Sequence, residues 1–428
     1  MVRHFFLNLL ICGCLFTACG GGSSSSSSSV SSEMSVSEDG VTLIPMNARP
    51  GDVLNLSDFA ESIELIPLET TDDCLIGWMP EIIATEKFYY MISAVGYDFQ
   101  KLYVFDKQGK FVRQISGRGQ GGDEFIEIRD FDVIGDSIIK IGDVFAIRTF
   151  NLEGELLSSK KINSANSEDV TTREIVSMKG NTILFNMGKP DSRSAENLLY
   201  QLDDKDSVRT GFFEVPFLAN RISTYFVDAA AMTKDEEYVY FHFPCDNYIY
   251  QIDAETLDYF PIYKVDYGDR TFTWDMFDEN GYEKIWSAQR KKESNVAMEQ
   301  ILSLNDYFLF TSRDNEKNYY FSLYSNRTGK ILSGSKLKDD MYFKGNIITL
   351  YGGKPGSNFR SRLSNDGGYL LWPIPAEVLL KGIKAYYDVL TPERWNLFCK
   401  KYPRLVEVCE QLKHDDNPVL LKIKLKDF

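Results

Sequence analysis

The feature that most constrains this chain is a hairpin that keeps coming back. Leu102-Tyr-Val-Phe-Asp106-Lys-Gln-Gly109-Lys-Phe-Val is followed by Ile147-Arg-Thr-Phe-Asn151-Leu-Glu-Gly154-Glu-Leu-Leu. The pattern returns at Leu199–Asp203, at Ile249–Asp253, and at Leu323–Asn326 with Gly329 after it. Each copy is an apolar strand, an Asp or Asn, a few polar residues often with Gly, and another strand. Asp and Asn cap such turns with their own side chains, and Gly supplies positive φ. The Asp/Asn anchors are spaced 45, 52, 50 and 73 residues apart. A second hairpin precedes each copy, at Ile82–Ile92, Phe131–Ile141, Glu174–Phe185, Val227–Phe241 and Gln300–Phe310.

The unit is therefore four strands in about 45 to 50 residues, the period of a propeller blade. Five blades are predicted within 81–116, 128–162, 173–213, 226–265 and 298–335. A sixth draws on both ends of the chain. Asn346–Tyr351, Gly368–Ile374 and Pro418–Leu425 supply three strands, and Ile63–Leu68 supplies the fourth and closes the ring. Closure matters because an open blade exposes an edge that must be paired or protected. The expected fold is all-β: a six-bladed β-propeller of four-stranded antiparallel blades, closed by N- and C-terminal strands, with helical insertions. Two β-sandwiches side by side are the weaker alternative. The insertions are expected near 274–294, which explains the 73-residue gap, and near 376–412. In the second, Thr391-Pro392 reads as a helix cap followed by proline at the first position. Trp395, Phe398, Tyr402, Leu405, Cys409 and Leu412 form an apolar stripe, and Pro403 divides it into two helices.

The N-terminus reads as an address. Arg3 precedes a short apolar run, Phe5–Phe16, too short to span a bilayer comfortably. The run ends Leu15-Phe16-Thr17-Ala18-Cys19, which resembles a bacterial lipobox and makes Cys19 the expected lipidation site. A thioether-linked diacylglycerol plus an N-acyl chain meets the requirement for stable anchoring. The expected organisation is a signal peptide over 1–18, a lipidated Cys and Gly/Ser-rich tether over 19–49, and the propeller over 50–428. The tether carries the serine run Ser23–Ser29, and it lacks acids until Glu33. That favours an outer-membrane lipoprotein facing the periplasm over one displayed at the surface. Cys74, Cys245, Cys399 and Cys409 remain in a compartment that permits disulfides. Cys399 and Cys409 are near enough in sequence to be bridged; buried thiols are the other reading.

Charge and histidine content remove whole classes of function. Lys and Arg total 47 against 62 Asp and Glu, a net charge of −15, the wrong sign for a general nucleic-acid binder. Beyond His4, in the signal, only His242 and His414 remain, which argues against His-rich metal sites and most triads. Gly117-Arg-Gly119-Gln-Gly-Gly122 matches a dinucleotide fingerprint literally, but it leads into a strand where a phosphate site needs a helix N-terminus. Asp130, Asp132, Asp136 and Asp143 lack the spacing of a calcium loop. Neither a metal nor a cofactor is expected. Because propeller ligands gather loops from several blades at one end of the channel, the binding candidates are Tyr97, Arg118, Gln120, Arg221, Tyr225, His242, Asp246, Arg313 and Asp314.

Four segments suggest a family. Ile115-Ser-Gly-Arg-Gly-Gln-Gly-Gly-Asp-Glu-Phe resembles the inter-blade linker of NHL-repeat-like propellers. Pro67–Gly77, Asp246–Tyr250 and Asp415–Leu420 resemble segments of the six-bladed β-propeller lipoproteins abundant in Bacteroidetes. The resemblance covers nearly all of the mature chain and implies architecture rather than a reaction. The expected function is an extracytoplasmic, lipid-anchored binding or scaffold protein that uses one propeller face for a glycan, a peptide or an envelope protein partner. The rival is a propeller hydrolase or lyase with a carboxylate or metal site at the channel mouth.

Overall fold

The structure is a computed structural model. It describes residues 35–36, 40–95, 99–117, 124–125, 127–143, 146–162, 170, 172–186, 197–203, 205–214, 232–243, 246–271, 296–314, 316, 318–342 and 363–428. Six antiparallel sheets form the ring, each running from an inner to an outer strand. Blade 1 is Trp78–Ala84, Phe88–Val95, Phe99–Asp106 and Phe111–Gly117. Blade 2 is Asp130–Ile134, Ile138–Asp143, Ala146–Asn151 and Leu156–Lys161. Blade 3 is Thr172–Met178, Asn181–Asn186, Asn197–Leu202 and Val208–Glu214. Blade 4 contains Met232–Lys234, Val239–Phe241, Tyr248–Ile252 and Tyr259–Asp266. Blade 5 is Val296–Leu304, Tyr307–Asp314, Tyr319–Ser325 and Ile331–Gly334.

The recurring turns form because their anchors work as capping groups. Asp106 Oδ1 accepts the N–H groups of Gln108 and Lys110, both at 2.9 Å. Asp203 does the same for Lys205 and Ser207, and Asp253 for Glu255 and Thr256. Asn151 Oδ1 accepts Glu155 N–H at 2.8 Å. The fifth copy differs: Ser325 Oγ takes Thr328 N–H, and Asn326 instead accepts the hydroxyl of Tyr263 at 3.1 Å.

Blade 6 closes the ring. Its order is Ser364–Asp366, Tyr369–Ile374, Val419–Leu425 and, outermost, Ala60–Pro67. The closing strand pairs in register from Val419 opposite Pro67 to Ile423 opposite Ile63. Its first strand is thus Ser364–Asp366; Asn346–Tyr351, assigned that place from sequence, lies outside the described residues, as does the 274–294 insertion. The two terminal segments that carry the family resemblance meet here. Asn417, 2% exposed, donates from Nδ2 to the carbonyls of Glu69 at 2.6 Å and Cys74 at 2.7 Å, and its Oδ1 accepts Ile76 N–H at 2.7 Å. Gly109, at φ +83°, lets the outer turn of blade 1 approach this clasp, because a Cβ there would lie 2.3 Å from the Pro67 carbonyl oxygen.

The chain before the closing strand is a belt over three outer edges. Thr42–Pro45 adds to blade 4 in parallel beside Tyr259–Asp266. Val53–Asn55 pairs in parallel with Lys336–Lys338 beyond blade 5. Ala60–Pro67 then completes blade 6. This corrects the expected tether: Val41, Ile44, Met46 and Ala48 are buried in the ring, so packed structure begins about ten residues earlier than residue 50. Between the second and third strands of blade 6 lie three helices: α1 Ala376–Val389, α2 Pro392–Lys401 and α3 Pro403–Gln411. Thr391 caps α2, Pro392 opens it, and Lys400 and Lys401 fill its last turn, where cations favour the helix dipole. Phe398, Leu405, Val408 and Cys409 pack into the core of blades 5 and 6 with Trp372 and Phe321. Cys74, Cys399 and Cys409 are free thiols.

Replacing Asn417 with Ala takes hydrogen bonds from two carbonyls and one N–H of the clasp, leaving the Glu69 carbonyl only the weak thiol donor of Cys74. Asn417→Ala is expected to cost at least about 2 kcal/mol, measured by denaturant unfolding; a loss below about 0.5 kcal/mol contradicts the clasp.

Candidate functional site

The inner strand of a blade has one edge facing the channel with no ladder partner, so its N–H groups need other acceptors. Here blades 2, 3 and 4 each supply acceptors to the next blade. Asp130 Oδ2 accepts Ile175 N–H at 2.6 Å, and Asp132 Oδ2 accepts Ser177 N–H, both across the blade 2–3 boundary. Glu174 Oε2 accepts Met232 N–H at 2.8 Å, from blade 3 to blade 4. Thr233 Oγ1 accepts Ser303 N–H at 3.1 Å, and Asn365 Nδ2 donates to the Ser303 carbonyl at 3.0 Å, which carries the lacing through blades 5 and 6. Lys234 Nζ bonds both oxygens of Asp132, at 2.9 and 2.8 Å, and the Ser177 carbonyl at 2.9 Å.

These strands enclose a cavity of about 350 Å³ on the ring axis, lined by residues of all six blades. That is the size of a small-ligand site. The lining reaches Asp235, Glu236, Asn305 and Gly367, at the turns joining first and second strands. Connections in an antiparallel blade alternate between its two ends. The described cavity therefore extends toward the end opposite the loops between second and third strands, where the sequence places its binding candidates.

Of those candidates, Tyr97, Arg118, Gln120, Arg221 and Tyr225 lie outside the described residues, as does Cys19. The rest lie after the second strand of blade 4, His242 and Asp246, and at the end of the second strand of blade 5, Arg313 and Asp314. His242 is fully buried, its ring facing the backbone of Glu299 and Phe243. Burial pushes its pKa down to about 4, against the opposing pull of the Glu299 and Phe243 backbone, so the ring is neutral at pH 7. Asp246 accepts the Tyr250 hydroxyl at 2.6 Å. Burial raises the Asp246 carboxyl to about 6, opposed by that hydrogen bond and by the charge of Lys264. Arg313 Nε pairs with Glu299 Oε1 at 2.7 Å, and its guanidinium lies 5.8 Å from the centre of the Tyr319 ring. Asp314 caps a turn, accepting Glu316 and Asn318 N–H groups, and also takes the Tyr320 hydroxyl at 2.9 Å.

The channel residues Glu81, Glu174, Lys234 and Gln300 were not singled out from sequence, because no motif contains them. Their signal is subtler: a charged or amide side chain inside an otherwise apolar inner strand. The four aspartates considered for calcium have structural partners. Besides Asp130 and Asp132, Asp136 accepts the Thr85 hydroxyl, and Asp143 pairs with Arg148 and takes Glu127 N–H at 3.2 Å. Among the described residues no three His, Cys, Asp or Glu side chains group to hold a metal, and no helix is long and apolar enough to cross a membrane.

The family described as domain of unknown function DUF4934 matches residues 42–424, from the belt to the last strand of blade 6. The chain belongs to that family. The matched range includes Thr42–Pro45, so this DUF4934 domain contains the belt as well as the ring. A solved protein of Bacteroides fragilis, described as exported, has the same fold at 16% identity and a TM-score of 0.65, covering 90% of this chain and 100% of its own. A member of the DUF4221 family from Bacteroides vulgatus aligns at 9% identity with a TM-score of 0.49, over 86% of this chain and 98% of its own. No curated protein matches.

The raised Asp246 carboxyl gives a signed pH dependence. Its neutral form is the one the folded state favours, so its contribution is complete below the ordinary carboxylate range and is lost as pH rises through about 6. Asp246→Asn is expected to flatten this part of the stability–pH curve. At pH 8 it is expected to be more stable than the parent by on the order of 1–3 kcal/mol; equal stability at pH 8 contradicts the assignment.

Proposed function

We propose that this DUF4934 protein is a lipid-anchored envelope protein that holds a ligand in the channel of its propeller: a glycan, a peptide or a segment of an envelope protein partner. The observation that carries the reading is the cavity of about 350 Å³ on the ring axis, to which every blade contributes. Cavities of this size with a few fixed polar groups are the usual form of a binding site. The lipobox ending at Cys19 and the glycine- and serine-rich stretch after it support an anchored, extracytoplasmic setting. The family likeness supports the propeller and leaves the ligand to the site itself. The carboxylates of the lining favour a second reading, a hydrolase or lyase acting on the same ligand; its mark is turnover.

The test uses the full chain purified from native membranes in mild detergent, with bound material analysed by mass spectrometry. The comparison is Glu236→Trp, which puts a bulky ring at an exposed lining position on the turn at the cavity's end. The reading predicts a glycan or peptide on the parent that is absent from a variant of similar thermal stability. A parent and variant with identical bound material, or with none, overturn it. In the same preparations Cys19→Ser is expected to move the protein from the membrane to the soluble fraction.

A further inference from the structure

Blade 6 carries an apolar surface that the ring does not use. Its helical insertion turns from α1 into α2 through Leu390 and Thr391. At this corner Val389 is 73% exposed, Leu397 65% and Tyr387 55%, three of the four most exposed large apolar side chains among the described residues. Apolar residues scattered singly over a surface are ordinary, but three within eleven positions call for a cause. The half-buried Trp395 adjoins them: its ring centre lies 4.9 Å from that of Tyr387, edge to face. Core packing is the task of other side chains of the insertion, Phe398, Leu405 and Val408, which are buried.

The corner is basic in an acidic chain. α2 holds Arg394, Lys400 and Lys401 against Glu393, a net +2, where the whole chain is −15. All three cations are exposed. Residues three and four apart share a helix face, so Leu397 has Arg394 one turn before it and Lys400 and Lys401 one turn after. The two lysines also suit the end of the helix. Arg394 lacks that reason, because it lies in the first turn, where the helix dipole disfavours a cation. Among the described residues none of the three forms an ion pair, whereas Lys381, Lys384 and Arg404 on the neighbouring turns pair with Glu377, Asp388 and Glu407.

Chain direction places the root of this insertion and the N-terminal segment at one end of the ring. α1 follows the second strand of blade 6, and the chain returns at Val419, so the insertion is rooted at the end that holds the loops between second and third strands. The fourth strand of a blade runs toward that same end. Thr42–Pro45 is parallel to the fourth strand of blade 4, and Ser35–Val36 is antiparallel to Thr42–Pro45. The chain coming from Cys19 therefore enters Ser35 from the end at which the insertion is rooted. The turns that border the cavity lie at the other end.

We propose that the α1–α2 corner docks on the anionic headgroup surface of the membrane that anchors the chain, with Tyr387, Val389 and Leu397 in the interface and Arg394, Lys400 and Lys401 facing lipid phosphates. A helix that presents apolar side chains within a basic rim binds such a surface by both terms at once. Tyr and Trp prefer the headgroup level, and lysine and arginine stems cover apolar surface while their charges stay in water. This deepens the binding reading above and rests on its anchored setting. The cavity-bordering turns, at the opposite end, stay clear of the lipid and open to a ligand.

Photo-crosslinking to lipid tests this. The full chain is reconstituted into vesicles of phosphatidylcholine alone, or of equal parts phosphatidylcholine and phosphatidylglycerol, each carrying a trace of phospholipid with a diazirine near the headgroup. Labelled peptides are then mapped by mass spectrometry. On the anionic vesicles the peptides covering residues 387–401 are expected to carry at least fivefold more label than any other peptide of the ring, and at least threefold more than on phosphatidylcholine alone. Val389→Glu/Leu397→Glu is expected to abolish the corner label while the chain stays on the vesicles through its anchor. Arg394→Gln/Lys400→Gln/Lys401→Gln is expected to bring the anionic result down to the neutral one. All five replaced side chains are exposed, so both variants are expected to keep the melting temperature of the parent. A chain held on the vesicles whose label is spread evenly, or is unchanged in both variants, overturns the docking and leaves the anchor standing. An unlabelled corner in a chain that sedimentation shows to be a dimer gives the surface to a second copy and also overturns the docking. A chain that does not stay with either kind of vesicle removes the anchor and the docking together.

Discussion

The structure depends on one pairing between residues more than 350 positions apart. Ala60–Pro67 lies against Val419–Leu425, and Asn417 fastens the end of that pairing to the loop that leads into blade 1. Without it blade 6 would have three strands and an open edge, and blades 6 and 1 would be joined only through side chains. One such contact shows how tightly the seam is made. Asp366 receives Lys107 at 2.8 Å, Lys422 at 2.7 Å and the Tyr89 hydroxyl at 3.1 Å, drawing on blades 1 and 6 together. Burial opposes the charged form of Asp366, but the two lysines outweigh it and hold the carboxyl below its ordinary range. The fold thus joins its ends by a strand ladder on the outside and a buried ion cluster within.

The same closure makes the channel. The inner strands of blades 2 to 6 are laced along their channel edges by carboxylates, a hydroxyl and an amide from the neighbouring blade. This lacing explains why polar side chains lie in strands that are otherwise apolar. It also leaves acidic groups around an axial space instead of filling that space with aliphatic packing. Architecture and candidate function are therefore linked: the groups that satisfy the backbone of the ring also set the charge of its interior.

What could be read from the sequence follows from how local each cause is. The blades were legible because Asp106, Asn151, Asp203 and Asp253 cap turns within a few residues of themselves. The closing strand was legible from its apolar pattern and from the need to cover an edge. Thr42–Pro45 was not: four residues ending in proline carry almost no strand signal, and their partner, Tyr259–Asp266, is more than 200 residues away. The channel residues were hidden for the same reason. The partners of Asp132 and Glu174 are 45 and 58 residues distant, and only the stacking of blades brings them into contact. His242 was legible as a residue at a strand end, but its burial depends on blade 5 packing against blade 4. Asp314 reads as a loop charge, and it is a turn cap whose oxygens are engaged by its own hairpin.

The terminal strands close the ring and so hold the channel together. Native-state hydrogen exchange of the backbone amides separates this from a locally fraying closure, comparing Glu61–Ile66 and Val419–Leu425 with the inner-strand amides of Ile175, Ser177, Met232 and Ser303. The closing strands and the laced inner amides are expected to exchange together, at the free energy of global unfolding. Exchange of the closing strands at a much lower free energy, with the inner amides still fully protected, would contradict it.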